Sequence, residues 1–209
     1  MLTLEQYGVK LVRVQEQDIE QIRAWRNQEE ISRFMEYKKH ITAEDQKAWF
    51  RSIDNKHNYF FMIHFDNKNV GVISIKNIDF ENNYAEGGIF LGDKNYFDSL
   101  AAVYSSLCLL NFTFFVLKFT TSSRIRILKS NTRSIQYNKL IGYKLMPGQD
   151  NVENQWYELT LDDYIANGKK LNHSAALLNK DHAELVYSGS VSDKNFDKIN
   201  KLLILKGQG

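Results

Sequence analysis

The segment between positions 84 and 102 has the residue types and spacing best suited to chemistry, because it predicts a strand, a loop and the start of a helix. Glu86 lies in the strand, the loop runs from Asp93 to Ser99, and the helix begins near Leu100. The first N–H groups of a helix have no partner inside it, and the helix dipole adds partial positive charge. The segment therefore predicts a binding site for a pyrophosphate group at the start of the helix.

The hydrophobic periodicity around this segment predicts a mixed α/β domain in which helices flank a central mixed sheet of about seven strands. Thr42 and Asp45 have the capping-box spacing of a helix start, and Gly142 is placed to end a helix in the left-handed conformation. Residues 66–69 favour a hairpin turn. The predicted strands are 9–14, 59–65, 70–80, 84–91, 123–129, 143–146 and 155–161, and the predicted helices are 18–27, 42–53, 99–117 and 132–141.

The composition narrows the class of protein. The 27 Lys and Arg residues nearly balance the 25 Asp and Glu residues, the net charge is +2, and no basic stripe that would bind nucleic acid is visible. The uncharged stretch 99–117 approaches the length of a membrane span, but its polar residues predict a buried helix. The first ten residues lack the apolar core of a signal peptide, and the lone Cys108 favours a reducing compartment. We therefore expect a cytoplasmic protein without a membrane span.

The sequence changes in character after residue 161. We expect residues 1–161 to form one domain and residues 162–209 to form a C-terminal extension packed on it. The extension predicts one helical turn at 162–165, a short strand at 182–187 and an amphipathic helix at 193–205. The apolar face of that last helix packs on the core, forms a subunit interface or covers a substrate site, so the protein is expected to be a monomer or a homodimer.

Residues 9–161 resemble the GNAT superfamily of acyl-CoA-dependent N-acyltransferases in element order and in two local patterns. The first pattern resembles the family's strand Glu-x-Gly-aromatic-aromatic-Leu with the loop that follows it, and the second resembles its Asn-x-x-Ser/Ala with a later Gly-Phe. The matching residues are Glu86, Gly88, Phe90, Leu91 and Ala101 in the first pattern and Asn131, Ser134, Gly142 and Tyr143 in the second. The resemblance implies an enzyme that takes acyl-CoA, as acetyl-CoA or a short acyl-CoA, and no metal.

Three positions depart from the family pattern. Phe97 and Ser99 stand where the family's phosphate loop has glycines, so Phe97 must point away from the loop while Ser99 can contribute its hydroxyl. Asn138 stands where the family often has a general-acid tyrosine, and Tyr137, about 100° round the helix, is expected to pack elsewhere. These departures leave open a GNAT-like module that binds acyl-CoA without catalysis.

The resemblance also implies roles for single residues. The free N–H of Leu91, where the family's central strands splay apart, would stabilise the oxyanion and order the pantetheine. Glu86 is the candidate base or, alternatively, a structural acid, with Asp79 and His40 as second choices for the base. Asn138 would donate a hydrogen bond to the leaving thiolate. The expected CoA contacts are Phe90, Leu91, Asp98, Ser99, Leu100, Ala101, Asn131, Ser134 and Asn138.

The segment from Trp25-Arg26-Asn27 through Phe34-Met35 to Ile41-Thr42 resembles a subgroup that acylates nucleotide-linked deoxyaminosugars, as in flagellin-glycan and O-antigen (lipopolysaccharide) pathways. The acceptor is then a dTDP- or UDP-linked aminosugar, and the alternative is a protein amino terminus, as in the branch that acetylates ribosomal proteins. For Trp25 a core position is an equal alternative to substrate contact. The expected acceptor contacts are Trp25, Arg26, Met35, Tyr37, His40, Lys76, Asn77, Asp79 and Tyr84.

Overall fold

A computed structural model describes residues 1–118 and 120–189, and a nine-stranded mixed sheet runs through this part of the chain. The order across the sheet is β7-β8-β6-β5-β4-β3-β2-β1-β9, and β5 and β6 are the one parallel pair among the described strands. The strands are β1 (Thr3–Gln6), β2 (Val9–Arg13), β3 (Tyr59–Phe65), β4 (Lys68–Asp79), β5 (Tyr84–Leu91), β6 (Ser122–Leu128), β7 (Lys144–Leu145), β8 (Asn154–Thr160) and β9 (Val186–Ser188).

Helices cover both faces of this sheet. The helices are α1 (Ile19–Arg26), α2 (Glu29–Ser32), α3 (Ala43–Ile53), α4 (Ala101–Asn111), α5 (Thr132–Ile141) and α6 (Leu161–Leu178), with a π-helical turn (Phe112–Leu117) directly after α4. α1 to α3 lie over one face, where Trp25 and Ile22 pack with Met62 and Val72 of the sheet. α4, α5 and α6 lie over the other face and enclose the larger core. Because side chains alternate along a strand, each strand contributes to both cores.

Several local predictions are confirmed. β3, β5 and α5 have the predicted bounds. Asp66 and Asn67 adopt positive φ values of 50° and 60°, as a two-residue hairpin between β3 and β4 requires. The Thr42 hydroxyl accepts a hydrogen bond from the N–H of Asp45 at 3.1 Å, which completes the capping box of α3. Gly142 ends α5 with φ 118°.

Other elements differ from the sequence-based expectation. The sheet has nine strands where about seven were expected. β1 was not predicted, and β9, which overlaps the short strand expected at 182–187, joins the sheet by pairing with β1. The predicted single turn at 162–165 is the start of the 18-residue helix α6. α6 buries Tyr164, Gly168 and Ala175, a stripe too narrow to stand out by hydrophobicity alone. The helix predicted at 193–205 lies outside the described residues.

The uncharged stretch 99–117 is a buried helix, as predicted. α4 and the π-helical turn cross the sheet and supply many fully buried residues, among them Leu107 and Cys108. No helix among the described residues is both long and apolar enough to cross a membrane.

A buried polar network ties α6 to α4 and β1. Asn111 of α4 donates to Gln6 Oε1 at 2.9 Å and to Asn172 Oδ1 at 2.8 Å, and it accepts from the Tyr164 hydroxyl at 2.8 Å. The Tyr7 hydroxyl donates to Asn172 Oδ1 at 2.9 Å. A network whose members are mutually satisfied fixes the relative position of the elements that carry it.

We predict that Asn111→Leu lowers the free energy of unfolding by about 2–4 kcal/mol, because the buried Gln6 Oε1 loses its donor and the Tyr164 hydroxyl loses its acceptor. Asn151→Leu, at an exposed position, is the matched control and should change the free energy of unfolding by less than about 0.5 kcal/mol. Urea unfolding of both variants measures the difference. Equal stability of the two variants would show that the network does not hold α6 in place.

Candidate active site

β5 and β6 diverge after a short stretch of pairing. The two strands pair where Tyr84, Ala85 and Glu86 meet the start of β6, whereas β5 stays paired with β4 as far as Leu91. The edge of β5 from Gly87 to Leu91 therefore faces a gap between the two central strands. This is the splayed arrangement that the sequence resemblance implied.

Two N–H groups of β5 point into this gap. The N–H of Gly92 donates to the Val70 carbonyl on β4 at 2.8 Å. Successive N–H groups of a strand point to opposite sides, so Phe90 also donates toward β4, while Ile89 and Leu91 direct their N–H groups toward the gap. A free N–H at Leu91 was predicted from the sequence, and the strand geometry gives a second one at Ile89.

A cavity of about 100 Å³ occupies the gap. It is bounded by the inner face of α4, one face of α5 and the diverging strands, and it reaches Ser74, Gly88 and Arg126 on the opposite face of the sheet. A group bound in this cavity can therefore be reached from both faces of the sheet. Its other lining residues are Ile73, Ile75, Ala85, Gly87, Ile89, Ser106, Leu109, Leu110, Thr113, Thr120, Ser123, Ile125, Ile127, Ser134, Asn138, Ile141 and Tyr143.

One face of α5, with Ser134, Asn138 and Ile141, forms one wall of this cavity. Asn131 caps α5 by accepting from the Ser134 N–H at 3.1 Å, and Asn138 donates its amide to the Ser134 carbonyl at 2.8 Å. The Asn138 side chain is thus oriented by its own helix before any ligand binds. Tyr137 points away, as predicted: its hydroxyl donates to the Ala102 carbonyl at 3.0 Å, and burial raises its pKa.

The loop between β5 and α4 uses several of its own N–H groups. The Ser99 N–H donates to the Tyr96 carbonyl at 3.0 Å, and the Ala101 N–H donates to the Ser99 hydroxyl at 3.2 Å. Phe97 packs into the core beneath α1, which confirms that it points away from the loop. The Ser99 hydroxyl thus orders the turn before α4, and any phosphate contact by it requires a change of partner.

Arg133 faces the same loop and was missed by the sequence analysis. Its guanidinium forms an ion pair with Asp98 at 2.8 Å and donates to the Phe97 carbonyl. Arg133, on α5, therefore places a positive charge beside this loop. This charge offsets the negative charge of Asp98 near the start of α4.

A polar cluster lies on the face of the sheet that α1 to α3 cover, which we call the acceptor face. Alternate positions of β4, β5 and β6 place Lys76, Glu86 and Arg126 side by side there. The Lys76 ammonium lies 2.7 Å from Glu86 Oε1, and Arg126 Nε lies 3.6 Å from the same oxygen. A β-bulge with φ 50° at Asn77 turns that side chain onto Glu86 Oε2 at 2.8 Å.

These contacts keep Glu86 ionised. Burial disfavours the charge of this carboxylate, which is 4% exposed, but the hydrogen bonds from Lys76 and Asn77 and the charges of Lys76 and Arg126 outweigh burial and lower its pKa. A carboxylate with a lowered pKa is a weak proton acceptor. The arrangement suits an acid that orients Lys76 and an incoming amine better than one that removes a proton by itself.

The acceptor face also has aromatic rings beneath its arginines. The guanidinium of Arg126 lies 4.9 Å from the ring centre of Trp156 and 2.9 Å from Glu36 of the loop after α2. None of these three residues was predicted to belong to the site. The alternation Arg-Ile-Arg-Ile in β6 was the available signal, because it places both arginines on one face.

Arg124 is the second arginine of this alternation. Its guanidinium lies 4.1 Å from the ring centre of Tyr84, and its Nε lies 2.9 Å from Glu158. Tyr84, predicted as an acceptor contact, is therefore brought to the acceptor face.

The Trp-Arg-Asn segment has three different surroundings. Trp25 is 7% exposed, packs edge to face with Phe90 at 6.5 Å and abuts Gly92, so it is a core residue. Arg26 has a buried Nε without a hydrogen-bond partner among the described residues, and burial lowers its pKa, although a guanidinium stays charged at neutral pH. Asn27 holds the backbone of Ile41 through two hydrogen bonds.

The remaining predicted acceptor contacts are scattered. Met35 packs on the core beneath α1, Tyr37 is 48% exposed, and His40 is exposed. Asp79 accepts hydrogen bonds from Glu81 and Asn82 in the turn after β4, and the bonds from Asn82 lower its pKa. No hydrogen bond between described residues joins His40 or Asp79 to Glu86.

Known proteins share this fold. The family model described as acetyltransferase (GNAT) domain matches residues 9–144. Among solved structures, FdhC, a nucleotide-linked sugar GNAT, is 20% identical with a TM-score of 0.68, covering 81% of this chain and 96% of its own. Spermidine N-acetyltransferase from Vibrio cholerae is 14% identical with a TM-score of 0.65 over 76% and 98%. RimL, a ribosomal L7/L12 α-N-protein acetyltransferase, is 15% identical with a TM-score of 0.65 over 75% and 96%. The curated proteins give no match.

We predict that Glu86→Gln lowers the free energy of unfolding by about 2 kcal/mol at pH 7, because Lys76 loses its charged partner. A carboxylate whose pKa is lowered by folding contributes stability above its unfolded pKa and loses it as pH falls through the folded value. The difference between wild type and variant should therefore shrink below about pH 4. Urea unfolding across pH measures it, with the exposed substitution Glu153→Gln as control. A difference that grows toward acid pH would contradict the assignment.

Proposed function

We propose, on the premise that this chain belongs to the acetyltransferase (GNAT) domain family, that it transfers an acyl group from acyl-CoA to the amino group of a nucleotide-linked deoxyaminosugar. The chain is an acyl-CoA-dependent N-acyltransferase of the GNAT type. The identity of the acceptor, a nucleotide-linked deoxyaminosugar, is what we propose. The observation that carries it is the acceptor face, where Lys76 and Arg126 lie beside Glu86, and where Arg126, paired with the exposed carboxylate of Glu36, also contacts the ring of Trp156.

The gap fits the acyl-CoA half of the reaction. Acyl-CoA supplies a thioester whose carbonyl carbon bonds to the acceptor nitrogen as the carbon–sulfur bond breaks and the thiol leaves. The N–H groups of Leu91 and Ile89 point to where negative charge develops on the carbonyl oxygen and would stabilise it. Ser134 and Asn138 line the cavity beside them, and Arg133 adds positive charge at the loop.

The acceptor face supports the nucleotide-sugar half. A diphosphate is a stronger partner for a guanidinium than a single exposed carboxylate, and Glu36 is 65% exposed, so the Glu36–Arg126 pair can open. The ring of Trp156 offers apolar surface for a base. Arg26, whose buried Nε has no hydrogen-bond partner among the described residues, is a further candidate cation for the acceptor.

Glu86 would orient the amine in this proposal. The carboxylate is ionised and lies on the strand that carries the Leu91 N–H, so it can accept a hydrogen bond from the amine directly or through water. The amine proton passes to water or to the departing sulfur. The cytoplasmic location, the monomeric or dimeric state and the division into a domain of residues 1–161 and an extension of residues 162–209 remain predictions.

An acceptor panel tests the proposal. Purified protein is incubated with acetyl-CoA or butanoyl-CoA and with dTDP- and UDP-linked aminosugars, spermidine and a peptide with a free amino terminus, and released thiol is measured. We expect turnover with at least one nucleotide-linked aminosugar and none above background with spermidine or peptide. Turnover confined to the peptide or to spermidine would overturn the proposed acceptor.

We predict that Arg126→Met raises the KM for the nucleotide-linked aminosugar about tenfold, because it removes a cation that binds the diphosphate. The KM for acyl-CoA should change less than twofold. The exposed substitution Arg51→Met removes the same charge from α3 and should leave both constants unchanged. A raised KM for acyl-CoA alone would move Arg126 from the acceptor site to the CoA site.

A further inference from the structure

The cavity in the gap continues beyond the N–H groups of Ile89 and Leu91. Its lining includes Ala85 and Ser123, at the point where β5 and β6 come together, and Tyr143, which follows α5. The cavity therefore extends along β5 toward the closed end of the gap, deeper than the N–H groups that face the thioester carbonyl.

Gly87 keeps this deeper part open. A Cβ atom at position 87 would lie 3.2 Å from Ile125 Cγ2, 3.5 Å from Ser123 Oγ and 3.8 Å from the Tyr143 hydroxyl, and all four residues line the cavity. Gly87 does not have a positive φ, so its backbone conformation does not require glycine. The reason for glycine at this position is space: without a side chain at position 87, a gap stays open between β5 and the Ser123–Tyr143 hydrogen bond.

The size of the cavity exceeds what an acetyl group fills. About 100 Å³ is open to the centres of water-sized atoms. One such atom needs roughly 10–15 Å³ on this measure, so the cavity holds about seven to ten. The sulfur and the three heavy atoms of an acetyl group leave several positions free. The hydroxyl of Thr120 lies in the wall and has no hydrogen-bond partner among the described residues, as expected for a wall that faces a bound group rather than packed core.

We infer that this site selects an acyl chain longer than acetyl, of about four carbons, and that Gly87 sets the length. The inference rests on the acyl-CoA half of the proposed function and does not depend on which acceptor is used. The chain would pass Gly87 and end between Ser123, Tyr143 and Thr120.

Binding of thioether analogues tests the inference without turnover. The affinities of S-ethyl-CoA and S-butyl-CoA are measured by calorimetric titration of the full chain. Burial of two further methylene groups predicts about tenfold tighter binding of the butyl analogue. Equal or weaker binding of the butyl analogue would overturn the inference, while failure of both analogues to bind would overturn the acyl-CoA half of the proposed function as well.

The Gly87→Ala variant tests whether Gly87 is responsible for the preference for the longer chain. Its methyl group narrows the passage beside Ile125, so the ratio of butyl to ethyl affinity should fall to about one. Gly148→Ala is the control, because Gly148 is exposed and lies outside the cavity, an added methyl group there meets no atom within 4 Å, and that ratio should stay unchanged. An unchanged ratio in Gly87→Ala, or an equal loss in both variants, would overturn the role of Gly87. The wild-type ratio remains a test even where a variant does not fold.

Discussion

The divergence of β5 from β6 is the constraint on which the rest of the site depends. A sheet satisfies its backbone groups by pairing, and this sheet leaves the β6 side of β5 unpaired after Glu86. The gap exposes two N–H groups, makes room for the cavity between α4 and α5, and opens a route from one face of the sheet to the other. Donor, acceptor and stabilising N–H groups can therefore meet at the middle of an otherwise continuous sheet.

Charge compensation is the second organising feature. The chain has a net charge of +2, and the acceptor face repeats this balance locally, because Lys76, Arg124 and Arg126 are paired with Glu86, Glu158 and Glu36. Such a face is stable without ligand, yet an anionic acceptor can replace the exposed carboxylate of Glu36. Binding of an anion is then an exchange of partners rather than the filling of an unpaired cationic site.

Much of the fold could be predicted from local sequence signals, and the rest depends on tertiary contacts that no local signal specifies. Periodicity and capping residues gave the bounds of β3, β5 and α5, because these elements obey rules within their own sequence. The four-residue strand β1 is too short to show a period, and it is held by pairing with β2 and β9. The position of Glu86 followed from its strand, but its environment depends on a bulge at Asn77 and on Arg126 from a distant strand, which no local pattern specifies.

Amide hydrogen exchange along β5 tests the central claim most directly. In the free protein, Phe90 and Gly92, which donate to β4, should exchange slowly, while Ile89 and Leu91, which face the gap, should exchange much faster. Saturation with acetyl-CoA should slow exchange at Leu91 and leave Phe90 and Gly92 unchanged. Equal protection of all four amides in the free protein, or no change at Leu91 in the saturated protein, would contradict the account.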